Sequence, residues 1–136
     1  MLGKKEVRNV LIVEDDKNTV DIITRALEKE GIRVTMSMRM EEALMDFERI
    51  PYDLVIADIF MSGMGGIEGI QRMREVRPQA KILATSAGYS GMTSEAALKA
   101  AEKIGADAVL PKPFSLDELR KMVTGLLDDD EDGKGE

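Results

Sequence analysis

Short uninterrupted apolar runs constrain this chain more than any other feature. Val10-Leu11-Ile12-Val13 and Leu54-Val55-Ile56-Ala57 are continuous, and each stops abruptly at an acidic residue, Glu14 and Asp58. Lys81-Ile82-Leu83-Ala84-Thr85 reads as a further strand. A run without polar alternation suits a strand buried on both faces, which is the habit of parallel sheets covered by helices. Between the runs the apolar spacing turns helical. Val20, Ile23 and Leu27 share one face, and Gly31 follows where a C-terminal cap belongs.

The remaining segments extend the same alternation. Ile32 to Ser37 reads as a weaker strand, and Met40 to Ile50 as a helix with Ala43, Leu44 and Phe47 inward. Ile67 to Val76 and Ser94 to Ile104 are predicted helices, closed by Pro78 and Gly105. Ala108-Val109-Leu110 is a short fifth strand, and Ser115 with Glu118 forms a capping box that opens a last helix. Leu116, Leu119, Val123 and Leu126 are its buried stripe. Five strands and five helices in strict alternation predict an α/β fold, a doubly wound parallel sheet with helices on both faces. At 136 residues there is room for one domain. Residues 1–127 are expected to form it, and the acidic, Gly-containing residues 128–136 to be a solvated, disordered tail.

The composition removes several chemistries. The chain has no Cys and no His, so thiolate nucleophiles, zinc–thiolate sites and imidazole bases are excluded. Catalysis would have to rest on carboxylates, Lys and hydroxyls. A net charge of −7 argues against direct contact with nucleic acid or anionic lipid. No run is long enough to span a bilayer, and the first residues lack a signal-peptide core, so the expected location is cytoplasmic.

In doubly wound sheets, sites form beyond the C-terminal strand ends. Those ends carry Glu14-Asp15-Asp16, Asp58, Thr85-Ser86 and Lys112. Singly, each has an ordinary explanation. Asp16, with or without Asp15, fits a helix cap. Asp58 suits a turn, Ser86 a loop hydroxyl, and Lys112 a solvated charge. Their convergence on one sheet edge is harder to explain this way. Carboxylates about 4 Å apart repel by roughly 1 to 4 kcal/mol per pair between watery and surface-like dielectrics. Such a cluster favours a divalent cation, and an all-oxygen donor set favours Mg²⁺.

From about Val7 to Leu127 the chain resembles the receiver domains of two-component response regulators. The landmarks are Leu11-Ile12-Val13-Glu14-Asp15-Asp16, Asp58-Ile59-Phe60-Met61 with Gly66 eight residues on, Ala84-Thr85-Ser86-Ala87, and Leu110-Pro111-Lys112-Pro113-Phe114. The resemblance implies a flavodoxin-like three-layer (βα)5 sandwich with strand order 2-1-3-4-5. It implies a switch rather than an enzyme with turnover, in which Asp58 accepts a phosphoryl group from a sensor histidine kinase or a histidine phosphotransfer protein. Glu14, Asp15, Asp58 and the Phe60 backbone carbonyl would surround Mg²⁺ or Mn²⁺. Ser86 and Lys112 would contact the phosphoryl oxygens, and the Lys112-Pro113 peptide would be cis. The downstream target would be another protein or an output domain.

The chain departs from the family pattern in places. Ser62 and Gly65 stand where Pro and Asp or Asn are common, which loosens the loop after the third strand. Val109 occupies the position of the usual aromatic switch, and Tyr89, in a loop some four residues longer than in compact members, is a candidate replacement. Met61 and Met64 are candidates for an exposed apolar patch. Two other readings compete: a degenerate receiver that binds partners without phosphorylation, and a phosphatase of the haloacid-dehalogenase-like group. The second would want an Asp two residues after its nucleophile, where this chain has Phe60.

Overall fold

The computed structural model describes residues 7–60, 64–86 and 93–135, with backbone only at 94, 97, 98 and 129–135. The elements are β1 (Asn9–Val13), α1 (Lys17–Glu28), β2 (Arg33–Ser37), α2 (Met40–Arg49), β3 (Leu54–Asp58), α3 (Gly66–Val76), β4 (Ile82–Ser86), α4 (Ser94–Lys103), β5 (Ala108–Pro111) and α5 (Leu116–Gly135). All strand pairings are parallel, in the order β2-β1-β3-β4-β5. Strand β1 therefore lies between β2 and β3, and the chain reverses its winding direction there. The predicted α/β class and strand order are both observed.

The continuous apolar runs are two of the three central strands, β1 and β3. Strands β3 and β4 are buried along their whole length, and β1 from Val10 onward. The weaker predicted strand, β2, is an edge, as is β5. Alternate residues of the central strands feed two cores. Leu11, Val13, Val55, Ala57, Ile82 and Ala84 face Met40, Phe47, Ile70, Met73 and Ala101 from α2, α3 and α4. Val10, Ile12, Leu54, Ile56 and Leu83 face Val20, Ile23, Leu27, Leu119 and Val123 from α1 and α5. Each fully buried Leu, Ile or Phe contributes about 1.5 to 3 kcal/mol through the apolar area it removes from water.

Helix boundaries follow local chemistry. The Asp16 carboxylate accepts from the Thr19 backbone N–H at 3.1 Å, and the Ser115–Glu118 capping box closes with reciprocal bonds of 3.0 and 2.9 Å. Gly31 and Gly105, predicted as helix stops, both have positive φ, at 80° and 120°. A residue with a Cβ would be strained at either position.

Helix α5 differs from the sequence expectation. It runs to Gly135, so the backbone of 128–135 is helical where composition predicted a disordered tail. The first turns are fixed by the cap and by Leu119, Val123 and Leu127 against the sheet. Once nucleation is met this way, propagation needs no further nucleation step. The expected apolar patch also differs. Met64 is half-buried and packs against the α2–α3–α4 core rather than facing outward. Met61, Ser62 and Tyr89 lie outside the described residues.

Candidate functional site

The side chains singled out from the sequence come together at the C-terminal edge of the sheet because the strands are parallel and in register. Val13 pairs with Ala57, Asp58 with Thr85, and Ser86 with Pro111. Glu14, Asp58, Ser86 and Lys112 thus lie on four adjacent strand ends. The Lys112 backbone N–H donates to the Ser86 carbonyl at 2.8 Å, and that of Ile59 to the Thr85 carbonyl at 2.9 Å. These bonds fix the residues on either side of the site to β4. The Lys112-Pro113 peptide is cis.

Glu14, Asp15 and Asp58 each present a carboxylate oxygen within 4.8 Å of the other two. Glu14 and Asp58 are buried, and Asp15 is exposed. The Lys112 ammonium spans the buried pair, 2.8 Å from Glu14 Oε1 and 3.0 Å from Asp58 Oδ2. The second Asp58 oxygen accepts the Phe60 backbone N–H at 3.0 Å, and the second Glu14 oxygen accepts that of Asp16 at 3.1 Å. Both buried carboxylates therefore have two donors each.

Burial pushes the Glu14 carboxyl above its ordinary range, against the opposing pull of the Lys112 hydrogen bond. Burial draws the Lys112 ammonium downward, but its hydrogen bonds to Glu14 and Asp58 outweigh this and hold it above its usual value. Asp16 stands apart from the cluster. Hydrogen bonds from the Thr19 hydroxyl and backbone N–H hold its carboxyl below the usual range, as befits a helix cap.

Ser86 and Thr85 are both buried at the end of β4. Ser86 continues the Ile82–Ala84 side of the strand, toward α3 and α4, whereas Thr85 continues the Leu83 side. Val109 packs half-buried against the α2–α3–α4 core. Sequence reasoning assigned Glu14 to a metal and Lys112 to a phosphoryl group but missed that the two touch. The available signal was electrostatic, since a buried carboxylate cluster calls for the one nearby cation.

Residues 10–124 match the family model described as the response regulator receiver domain. The chain belongs to the response regulator receiver family. This receiver domain is 35% identical over 123 residues to the transcriptional regulatory protein YvrH of Bacillus subtilis, covering 90% of this chain and 50% of that protein. It is 32% identical to the transcriptional regulatory protein TrcR of Mycobacterium tuberculosis, covering 87% and 44%. The chain thus spans about half the length of the curated relatives it matches. Those relatives are named as transcriptional regulators, so the charge argument against nucleic acid reaches no further than this chain's own residues. Among solved structures, the receiver domain superposes on a CheY-like receiver protein from Methanospirillum hungatei with a TM-score of 0.85 and 27% identity, covering 94% and 99%. It also superposes on the response regulator TrrA from Thermotoga maritima, solved with Mg²⁺ and beryllium fluoride, with a TM-score of 0.75 and 35% identity, covering 88% and 99%. Among the described residues, no helix is long and apolar enough to cross a membrane.

The donor set suits a divalent cation. Three carboxylate oxygens converge, the chain offers no His or Cys, and a hard cation that retains waters needs few protein ligands.

Proposed function

We propose that this receiver domain acts in the cytoplasm, that it accepts a phosphoryl group on Asp58 from a phosphohistidine of a sensor histidine kinase or histidine phosphotransfer protein, and that the modified chain signals to a downstream protein or output domain. The observation that carries the reading is the convergence of Glu14, Asp15 and Asp58 within 4.8 Å, bridged by Lys112. Glu14, Asp15, Asp58 and the Phe60 carbonyl would hold Mg²⁺ or Mn²⁺. When bound, that cation would supply charge neutralisation for the transferring group.

The chain's own residues do the rest. Asp58 is already a carboxylate when it attacks, so no general base is required, and the absence of His is no obstacle. Its oxygen forms the new bond to phosphorus as the bond to the imidazole nitrogen breaks. The Phe60 N–H holds one carboxylate oxygen and so fixes the orientation of the side chain. Lys112 is tethered to β4 through its backbone, and its ammonium faces the charge that arrives on the phosphoryl oxygens. Ser86, at the end of β4, would donate to one of those oxygens once the strand end shifts toward them. Beside Lys112, an apolar cleft of about 510 Å³ between α1 and the β5–α5 connection, lined by Ile22, Ile23, Phe114 and Leu116, gives the phosphate donor a surface to sit on.

Intact mass after incubation with acetyl phosphate tests this. One added phosphoryl group is expected, dependent on Mg²⁺ and absent from Asp58→Asn. If neither acetyl phosphate nor beryllofluoride leaves a Mg²⁺-dependent, Asp58-dependent change, the domain acts without phosphorylation.

A further inference from the structure

The connection between β3 and α3 carries Phe60. Its start is tied by the Ile59 and Phe60 backbone N–H groups, to Thr85 and Asp58. Its end is tied back to its start, the Gly66 N–H donating to the Ile59 carbonyl at 2.8 Å, and is tied a second time from outside. The Met64 backbone N–H donates to Glu41 Oε2, at 3.2 Å, across 23 residues from the first turn of α2.

Two further observations show that the start of α2 is built as a support. Met40, the residue before Glu41, is fully buried, and a Cβ on Gly69 of α3 would come within 2.4 Å of its sulfur. Helix α3 therefore rests directly on the first turn of α2. The Glu41 carboxylate has the Arg39 guanidinium 3.7 Å away. Its own backbone N–H and that of Met64 hold its carboxyl below the ordinary range, so it stays a full acceptor at neutral pH.

We propose that Glu41 is a positioning residue for phosphoryl acceptance: by clamping the Met64 N–H it holds the loop after Asp58 in the geometry the metal and the phosphoryl group require. The inference rests on the reading of Asp58 as a metal-assisted acceptor. Glu41 touches neither the cation nor the reacting atoms. It acts through Met64, adding from α2 a tie that lies outside the loop itself.

The test uses the full ¹⁵N-labelled chain as wild type, Glu41→Ala and Glu41→Gln. Two quantities are read: amide hydrogen exchange at Met64, and Mg²⁺ affinity from spectral titration. Glu41→Ala removes the acceptor and should speed Met64 exchange and weaken Mg²⁺ binding by about three- to tenfold, the span of one hydrogen bond's net worth. Glu41→Gln keeps a carbonyl at the same reach without the charge, and should stay within about twofold of wild type, well inside that span. Wild-type Mg²⁺ affinity in Glu41→Ala would overturn the proposal. So would equal losses in both variants, because the effect would then belong to the lost charge and not to the clamp. A wild-type chain that binds no Mg²⁺ would remove the metal reading and the positioning role with it, while Met64 exchange would still report separately whether the clamp exists.

Discussion

Gly66→Ala is the substitution whose cost can be read most directly from the structure. A Cβ built on Gly66 lies 2.4 Å from the Asp58 carbonyl oxygen, 2.5 Å from the Ile59 Cα and 2.9 Å from the Ile59 carbonyl oxygen. All three are backbone atoms, so no side chain can swing aside. Ordinary contact between such atoms is about 3.5 Å, so the start of α3 or the end of β3 must move by roughly 1 Å. Such overpacking costs about 1 to 3 kcal/mol. The same movement strains the 2.8 Å bond from the Gly66 N–H to the Ile59 carbonyl, worth about another 1 kcal/mol. The smaller unfolded-state entropy of Ala returns about 0.4 to 1 kcal/mol. The net loss is about 1 to 3.5 kcal/mol, and at roughly 3 to 5 °C per kcal/mol for a domain of this size the melting temperature should fall by about 3 to 18 °C. Phosphorylation of Asp58 should slow as well, because the displaced atoms belong to the acceptor's own peptide. Gly125→Ala is the control. It sits on an exposed face of α5 with nothing within 4 Å of its Cβ, and should gain about 0.5 to 1 kcal/mol. Thermal melts followed by circular dichroism decide the matter. A Gly66→Ala melt indistinguishable from wild type would refute the argument that the β3 backbone is rigid there.

Four further outcomes are expected. Lys112→Met leaves Glu14 and Asp58 buried without their shared cation; with Lys112 partly exposed, the loss should be about 1 to 3 kcal/mol in urea unfolding without metal, and Mg²⁺ should restore much of it. Because burial raises the folded-state value of Glu14, this carboxyl in the chain without metal holds its proton more in the folded than in the unfolded state, so its contribution to stability falls as pH rises above 4.5; Glu14→Gln should remove that part of the pH dependence, and an unchanged pH profile would contradict it. Arg74→Met strips donors from the Pro78, Ala80 and Gly105 carbonyls and from Asp107, and should destabilise by about 2 to 3 kcal/mol while Asp58 is still phosphorylated. Asp16→Ala should lower the melting temperature through loss of the α1 cap and leave Mg²⁺ affinity near wild type; a large affinity loss would make Asp16 part of the metal site.

The sequence disclosed the central sheet because strands buried on both faces must be apolar throughout, and Val10–Val13 and Leu54–Ala57 are. It disclosed Glu14, Asp15, Asp58, Ser86 and Lys112 because a parallel sheet gathers the residues at its C-terminal strand ends along one edge. It could not disclose the Lys112–Glu14 contact, which spans 98 residues and depends on the register of three strands. Glu41 and Arg74 were equally hidden. Each acts by bonding to distant backbone, and such bonds leave no periodicity in the chain. The residues after Asp128 misled because composition reports solvation, whereas the helix there inherits its start from residues packed well before it.

The sheet ends on two open strands, β2 and β5. An open edge offers unpaired N–H and C=O groups to any other strand, and that is how sheets of separate molecules fuse. Both edges here are short, at five and four residues. Strand β5 closes on Pro111, which has no N–H to give, and β2 begins with the exposed charge of Arg33. Copies of this domain can therefore meet at high concentration without zipping into a common sheet.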